Sequence, residues 1–324
     1  IHKSLIPYIL DILKSKGITK DFIYPDTYKM KNTIIHNATK KILVTGGNGQ
    51  LGQSIQKLSK DFPEFEFIFT DSETLDITNK ENVFDFFWQN EPSFCINAAA
   101  YTAVDLAETD VEKAFLVNAN GTENLAEACK EYNAQFIHIS TDYVFDGENQ
   151  LPYTEDDFTN PIGVYGASKL SGEELALEVN PCTVILRTSW VYSEFGKNFV
   201  KTMLNLFAIK EELGIVADQF GQPTNANDLA QAIMKIINSE KIIPGIFNFS
   251  NAGKISWFDF ASKIKELSQS IVKLNPLETW QYPTPAKRPQ NSTLNLEKIQ
   301  NIYQVQPIDW QVSLAECVEI LKNE

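Results

Sequence analysis

A regular alternation of short apolar runs with segments of helical spacing constrains the fold more than any other feature of this sequence. The apolar runs are mostly rich in β-branched or aromatic residues, and they lie at 41–45, 65–70, 94–98, 135–140 and 182–187. Helical segments separate them, near 53–58, 79–90 and 110–132, with a fourth after Asn160-Pro161. Because strands that alternate with helices pair in parallel through right-handed crossovers, we expect an α/β fold with a doubly wound parallel sheet.

A glycine-rich turn follows the first predicted strand. Gly46, Gly49 and Gly52 recur at three-residue intervals between that strand and the next helix. Glycine at such points permits a tight turn, close approach of the backbone to a pyrophosphate, and close packing of the helix on the strand. The N-terminus of the helix adds unpaired N–H groups and a favourable dipole for phosphate. This context predicts a Rossmann-like, NAD(P)-binding fold.

The second predicted strand ends at Asp71, about 20 residues past the last glycine of the turn. An acidic side chain there accepts hydrogen bonds from the adenosine ribose and repels a 2′-phosphate. The residue therefore favours NADH slightly over NADPH. Two alternatives stay open, since Lys80 lies near enough in sequence to favour NADPH and an aspartate at a strand end also caps turns.

Beyond Trp190 the alternation becomes irregular. Helices are predicted near 197–209, 226–239, 256–270 and 309–322, separated by loops that contain Pro and Gly. We divide the chain into a dinucleotide-binding domain, 41–192 with about 224–250, and a smaller mixed α/β substrate lobe, about 193–223 with 251–324. Residues 1–40, in which apolar spacing predicts a short helix, form an N-terminal extension to which we assign no function.

Composition argues against several classes of function. The formal net charge of −14 disfavours a nucleic-acid partner and a basic membrane-surface protein. No apolar run reaches the length of about 18 residues that a transmembrane helix needs. The four cysteines form no C-x-x-C pair and the three histidines lack helical metal-binding spacing. We therefore expect reduced thiols, no zinc site and a cytoplasmic location.

Tyr165 and Lys169 stand four residues apart on a predicted helix and therefore share a helix face. We expect the ammonium to lower the tyrosine pKa from its reference of about 10 toward neutrality, so that the phenol can exchange a proton with a substrate oxygen. Thr141 follows the fourth strand, at the edge where ligands gather in open α/β sheets. The alternatives are a surface ion-pair neighbour for the lysine and a turn cap for the threonine.

Two other strand ends carry candidate site residues. The run Asn97-Ala-Ala-Ala-Tyr101 has small side chains that let a cofactor pass close to the backbone, although core packing explains the alanines nearly as well. Trp190 ends the fifth strand segment and offers a flat apolar platform for a sugar ring, whereas a tryptophan in the core between lobes is the alternative.

Arginine is rare in this chain. Only Arg187 and Arg288 occur among the 28 basic residues. Arginine presents a planar fork that suits phosphate or carboxylate, and lysine does not. Both positions are therefore candidates for a role that lysine cannot fill.

From about Lys41 to its end, the chain resembles the dTDP-4-dehydrorhamnose reductase family of extended short-chain dehydrogenases/reductases. The runs that carry the resemblance are Val44-Thr-Gly-Gly-Asn-Gly-Gln-Leu-Gly52, Asn97-Ala-Ala-Ala-Tyr-Thr-Ala-Val-Asp105, Ser140-Thr-Asp-Tyr-Val-Phe-Asp-Gly147, Val164-Tyr-Gly-Ala-Ser-Lys169, Arg187-Thr-Ser-Trp-Val-Tyr192, Asp218-Gln-Phe-Gly-Gln-Pro-Thr224 and Tyr282-Pro-Thr-Pro-Ala-Lys-Arg-Pro289. The first and fourth are common to the superfamily, and the third, fifth and last are more specific to the family.

The resemblance implies an NAD(P)H-dependent oxidoreductase that reduces the C4 ketone of dTDP-4-dehydro-β-L-rhamnose to dTDP-L-rhamnose. It implies the catalytic residues Thr141, Tyr165 and Lys169. It implies cofactor contacts at Gly46, Gly49, Gln50, Leu51, Gly52, Asp71, Asp76, Ile77, Ala99, Ala100, Tyr101, Tyr165 and Lys169. It implies substrate contacts at Val104, Thr141, Asp142, Tyr143, Trp190 and Arg288, with Arg187 as a structural ion-pair partner.

Three points stay open at this stage. Some family members form a magnesium-bridged dimer through glutamates, which we cannot place here, so magnesium is unassigned and the protein is expected to be a monomer or a homodimer. Another nucleotide-sugar epimerase or dehydratase of the superfamily would share the glycine turn and the Tyr/Lys pair. A non-catalytic regulatory subunit like that of methionine adenosyltransferase is the third alternative, and Trp190 favours the reductase over it.

Overall fold

The computed structural model describes residues 39–323, in which a six-stranded, fully parallel sheet forms the centre. Strands are numbered in chain order, and those outside this sheet are given below. The sheet contains β1 (Lys40–Thr45), β2 (Phe65–Thr70), β3 (Phe94–Asn97), β4 (Gln135–Thr141), β5 (Val184–Thr188) and β10 (Gly245–Asn248). The spatial order is β10-β5-β4-β3-β1-β2, with register pairs such as Thr45↔Asn97 and Thr141↔Thr188. The sheet order reverses direction beside β1, which is where a doubly wound sheet places its ligand crevice.

Helices cover both faces of this sheet, as predicted. They are α1 (Gln50–Leu58), α2 (Lys80–Asn90), α3 (Val104–Ala107), α4 (Val111–Phe115), α5 (Gly121–Glu131), α6 (Val164–Val179), α7 (Phe199–Phe207), α8 (Ala226–Ile237), α9 (Trp257–Ser268), α10 (Glu297–Tyr303) and α11 (Trp310–Lys322). One buried cluster joins α1, α8 and α10 to one face, and another joins α2, α5 and α6 to the other. The α/β, Rossmann-like fold is thereby confirmed.

The long helix predicted over 110–132 is present but not regular. A π-helical turn at Leu116–Asn120 separates α4 from α5. π turns within helices are frequent at functional sites. Here the turn points the amide of Asn118 at the backbone of Tyr101, whose N–H donates to Oδ1 at 2.8 Å and whose carbonyl accepts from Nδ2 at 3.1 Å.

The C-terminal part adds short strands that the sequence patterns did not predict. Parallel pairing joins β6 (Val191–Tyr192) to β9 (Thr224–Asn225) and β7 (Glu212–Val216) to β12 (Lys273–Leu277), while β8 (Phe220–Gly221) pairs antiparallel with β11 (Ile255–Ser256). These elements, with α7, α9 and α11, enclose a third buried cluster around Tyr192, Phe260 and Trp310. Residues from Lys40 onward form one compact unit, and the boundaries proposed between two lobes stay a prediction.

Three further sequence predictions concern the rest of the chain. As predicted, the four cysteines are reduced, and all except Cys182 are buried. None of the helices between residues 39 and 323 combines the length and apolar character that a membrane span requires. The short helix predicted near the start of the chain lies outside the described residues.

Candidate active site

A cavity of about 990 Å³ opens at the carboxyl ends of the central strands. Its wall contains most of the residues singled out in the sequence, namely Gly46, Gly49, Gln50, Leu51, Asp71, Asp76, Ile77, Ala99, Ala100, Tyr101, Val104, Thr141, Asp142, Tyr143, Tyr165, Lys169 and Trp190. Gly52 and Arg288 are not part of the wall. The fold thus brings together side chains that are up to about 145 residues apart, because parallel strands end at one edge of the sheet.

The glycine turn has the tight geometry that its spacing predicts. Gly46 adopts a left-handed φ of +68°, and a Cβ at Gly52 would lie 2.4 Å from the carbonyl oxygen of Gly46. Helix α1 begins directly after Gly49, which has no side chain to cap the first N–H groups. The turn therefore leaves backbone donors at a helix N-terminus and room for close approach, and it fits the pyrophosphate of a dinucleotide.

Asp71 lies at the end of β2 next to the glycine turn. Asn48 Nδ2 donates to Asp71 Oδ2 at 2.7 Å, and Thr74 donates to Oδ1 through both its hydroxyl and its backbone N–H. The hydroxyl hydrogen bond of Thr74 is the main reason that the pKa of Asp71 is lowered. The carboxylate is thus oriented and ionised at the cavity wall, while Lys80 forms an ion pair with Glu127.

Tyr165 projects from the first turn of α6 into the cavity, near Thr141 at the end of β4. Its ring packs edge-on against Tyr143, with centroids 5.6 Å apart. Desolvation raises the pKa of the Tyr165 phenol to about 12, and a hydrogen bond with the Thr141 hydroxyl offsets part of that increase. The predicted fall of this pKa toward neutrality is wrong for the structure described here.

Besides desolvation, the position of Lys169 explains why the pKa of Tyr165 does not fall. Its ammonium nitrogen points at β4, where it donates to the carbonyl of Ile139 at 2.7 Å and lies 3.1 Å from His138 Nε2. Lys169 is 2% exposed, and desolvation lowers its pKa to about 8 even though Glu173 opposes the shift. The lysine therefore shares a helix face with Tyr165, as predicted, but its charge is bound to the strand and not to the phenol.

His138 is a residue that the sequence patterns did not single out. It is fully buried in β4, and its Nδ1 lies 3.1 Å from Asn97 Nδ2 at the end of β3. Burial first, and then the charge of Lys169, hold the pKa of His138 well below its usual range. Its place inside the apolar run Phe136-Ile-His-Ile-Ser140 could have identified His138 from the sequence, because a buried polar side chain must find hydrogen-bond partners.

Trp190 lies where both interpretations made from the sequence require it, and its contact with a sugar ring stays a prediction. Its indole packs against the third buried cluster and also lines the cavity. Its backbone has a φ of 46°, an uncommon conformation for a bulky residue that surrounding contacts must hold. The ring stacks on Trp257 with centroids 3.5 Å apart and planes 10° apart.

The two arginines have different environments. Arg187 is buried and makes a two-pronged pair with Glu173, from Nη2 at 2.6 Å and Nε at 3.0 Å, so its predicted structural ion pair is confirmed. Arg288 donates to Asp105 Oδ1 at 2.8 Å and is not part of the cavity wall. A contact between Arg288 and a diphosphate stays a prediction.

Asp142 is the buried carboxyl of the cavity wall. Desolvation raises the pKa of Asp142 to about 6, although the nearby Ser292 hydroxyl and a hydrogen bond from Thr141 oppose the shift. Within residues 39–323, no group of three or more His, Cys, Asp or Glu side chains converges as a metal site would require. Magnesium therefore stays unassigned.

Comparison with known proteins agrees with this geometry. The family model described as "RmlD substrate binding domain" matches residues 40–323. The dTDP-4-dehydrorhamnose reductase of Aggregatibacter actinomycetemcomitans is 45% identical over 85% of this chain and 97% of its own length. Among solved structures, dTDP-4-dehydrorhamnose reductase from Clostridium acetobutylicum is 44% identical with a TM-score of 0.84, covering 87% of this chain and 99% of that one.

The enzyme of the same name from Bacillus anthracis, solved in complex with NADP, is 37% identical with a TM-score of 0.84. That comparison covers 87% of this chain and all of the other. Likeness of this extent includes the glycine turn, the Tyr165 helix and the C-terminal elements together. This chain belongs to the dTDP-4-dehydrorhamnose reductase family.

Proposed function

We propose that this protein reduces the C4 ketone of dTDP-4-dehydro-β-L-rhamnose to dTDP-L-rhamnose with NADH or NADPH. The observation that carries the proposal is the single cavity into which the fold brings the glycine turn, Thr141, Tyr165 and Trp190. A dinucleotide site on one side and a proton donor on the other are the two parts that ketone reduction needs. The reductases named among the relatives supply the choice of sugar.

The nucleotide half of the site binds and orients the cofactor, which when bound supplies a hydride. The N–H groups at the start of α1 would hold the pyrophosphate, and Asp71 would accept from the adenosine ribose. Asp76 and Ile77 would contact the adenine, and the alanines after β3 would leave space for the rest of the cofactor. This arrangement supports either nicotinamide nucleotide, with the slight preference for NADH resting on Asp71.

Proton transfer is assigned to Tyr165. When a hydride adds to C4, the carbonyl electron pair moves to oxygen and the phenol O–H breaks to protonate that oxygen. A pKa of about 12 keeps the phenol protonated at neutral pH, which is the form that a proton donor needs. Thr141 hydrogen-bonds the same oxygen, and water restores the proton of the phenolate afterwards.

Lys169 has a positioning task in this scheme. Lys169 lines the cavity with its nitrogen held by Ile139 and His138, and it is assigned to the ribose of the nicotinamide. The remaining substrate contacts are assigned to Val104, Asp142, Tyr143, Trp190 and Arg288.

The direct test is a spectrophotometric assay of NADH and NADPH oxidation against a panel of dTDP- and GDP-linked 4-keto sugars. We expect oxidation in equal molar amount with the dTDP-4-keto-6-deoxysugar, and a rate at least about tenfold lower with GDP-sugars. Product formation without net oxidation of the nucleotide would instead indicate an epimerase or dehydratase. Binding of nucleotide without turnover of any sugar would favour a regulatory subunit.

Asp71→Asn tests the proposed cofactor preference. Removal of the negative charge weakens repulsion of a 2′-phosphate, so we expect the ratio of kcat/KM for NADH to that for NADPH to fall about fivefold. Steady-state kinetics with each nucleotide at saturating sugar measures the ratio. Glu73→Gln is the matched control because it removes the same charge from an exposed side chain two residues away. An unchanged ratio in Asp71→Asn would remove Asp71 from the proposal.

A further inference from the structure

Trp190 has less freedom than a cavity-lining side chain usually has. Its backbone lies in the left-handed region with a φ of 46°, and its carbonyl accepts a hydrogen bond from the N–H of Thr224 at 3.2 Å. A bulky residue remains in this region only when its surroundings determine the conformation. The contacts of the indole ring therefore decide where the ring lies.

Two of those contacts come from neighbouring elements of the chain. The ring of Trp257 lies nearly parallel to that of Trp190, with centroids 3.5 Å apart. The backbone of Gly221 also approaches so closely that a Cβ there would lie 2.5 Å from Cε2 of Trp190. The indole of Trp190 thus stacks on the ring of Trp257 and also lies against Gly221, where no larger side chain fits.

Strand pairing places these two residues together. The antiparallel pair β8–β11 aligns Gly221 with Ile255 and Phe220 with Ser256. Ser256 caps α9 through a reciprocal pair of hydrogen bonds with Asp259, so Trp257 is fixed as the first residue of that helix. Phe199 packs against Trp257 with centroids 4.7 Å apart and supports it from the third buried cluster.

We propose that Trp257 and Gly221 are positioning residues that fix the indole of Trp190 at the cavity wall and thereby set the affinity for the sugar ring of the substrate. The inference rests on the proposed function, in which Trp190 contacts the sugar. Trp257 covers one face of the Trp190 indole, and both rings line the cavity. A sugar therefore meets a platform that is held before it binds, which reduces the ordering cost of binding.

The test compares Trp257→Leu, Trp257→Phe and Gly221→Ala with wild type. For Trp257→Leu we expect KM for the dTDP-4-keto sugar to rise about tenfold, KM for NADH to stay within about twofold, and kcat to fall less than about threefold. Trp257→Phe retains an aromatic face and should recover most of the sugar affinity. Gly221→Ala should raise KM for the sugar because its methyl group displaces the ring of Trp190.

Circular dichroism in the far ultraviolet supplies a readout that is independent of activity. Two stacked indoles give an exciton couplet, which we expect Trp257→Leu to abolish and dTDP-L-rhamnose to leave in place in wild type, because the platform is held before the sugar binds. Trp88→Leu is the matched control, since Trp88 is 62% exposed and lies outside the cavity wall. It should leave both the couplet and the kinetics unchanged.

The outcomes separate this inference from the proposed function. If Trp257→Leu loses the couplet, remains folded and keeps the wild-type KM for the sugar, the inference is overturned while the reductase assignment stands. If wild type turns over no 4-keto sugar, the proposed function fails and the inference that rests on it fails as well. If turnover stands but dTDP-L-rhamnose abolishes the couplet, the platform is not held and the inference alone is overturned. Should Trp257→Leu not fold, Gly221→Ala decides the question by the same KM comparison.

Discussion

Replacement of Tyr165 by phenylalanine is expected to lower kcat at least about a hundredfold, because transfer of a proton from a positioned side chain contributes roughly 10²–10⁴-fold to such a reaction. The variant keeps the ring, and so it keeps the edge-on contact with Tyr143 at 5.6 Å. Only the hydroxyl that faces the cavity and its hydrogen bond with Thr141 are lost. The measurement is kcat at saturating sugar and NADH, with the cofactor Kd measured separately by fluorescence titration.

The control for Tyr165→Phe is Tyr282→Phe. Tyr282 is 59% exposed and lies outside the cavity wall, so loss of its hydroxyl should change neither kcat nor the cofactor Kd. A Tyr165→Phe enzyme with near wild-type kcat would show that another group donates the proton. A parallel loss of kcat and cofactor binding would mean that the hydroxyl orients the nucleotide instead of donating a proton.

The fold was largely predictable because its signals are local and repeated. The runs at 65–70 and 135–140 are strands β2 and β4 within one residue, and the four helices predicted after Trp190 are α7, α8, α9 and α11 within about two residues at each end. The glycine turn was equally readable, since only glycine fits where a Cβ would lie 2.4 Å from another backbone atom. Hydrophobic periodicity and steric exclusion of side chains depend on residues that are close in sequence, so both can be recognised in a single sequence.

The environment of the proposed proton donor was less predictable, because it depends on contacts between distant segments. A spacing of four places Lys169 on the face of Tyr165, but it does not show that β4 offers Ile139 and His138 as competing partners. For the same reason the burial that raises the pKa of Tyr165 was not visible. The stack of Trp190 on Trp257 likewise arises from strand pairing, which no local pattern encodes.

Arg187→Met is expected to reduce the free energy of unfolding by about 3–5 kcal/mol, the second large effect that this structure predicts. Arg187 and Glu173 are each 2% exposed and are joined by hydrogen bonds of 2.6 and 3.0 Å. Removal of the guanidinium leaves the carboxylate of Glu173 buried without its partner, one turn after Lys169 in helix α6. Unfolding in urea at neutral pH, followed by circular dichroism, measures the change.

The informative comparison is the double variant Arg187→Met/Glu173→Met. Since a buried ion pair gains little over apolar side chains of similar volume, removal of both charges should recover most of the stability that Arg187→Met loses. Arg187→Lys should recover less, because lysine lacks the fork that bonds both carboxylate oxygens.

If Arg187→Met alone stays within about 0.5 kcal/mol of wild type, as ordinary surface substitutions do, the pair does not stabilise the fold. If the double variant is instead as unstable as Arg187→Met, the loss comes from the contact between the guanidinium and the Phe145 ring, whose centroid lies 5.0 Å from Cζ, and not from the unpaired carboxylate.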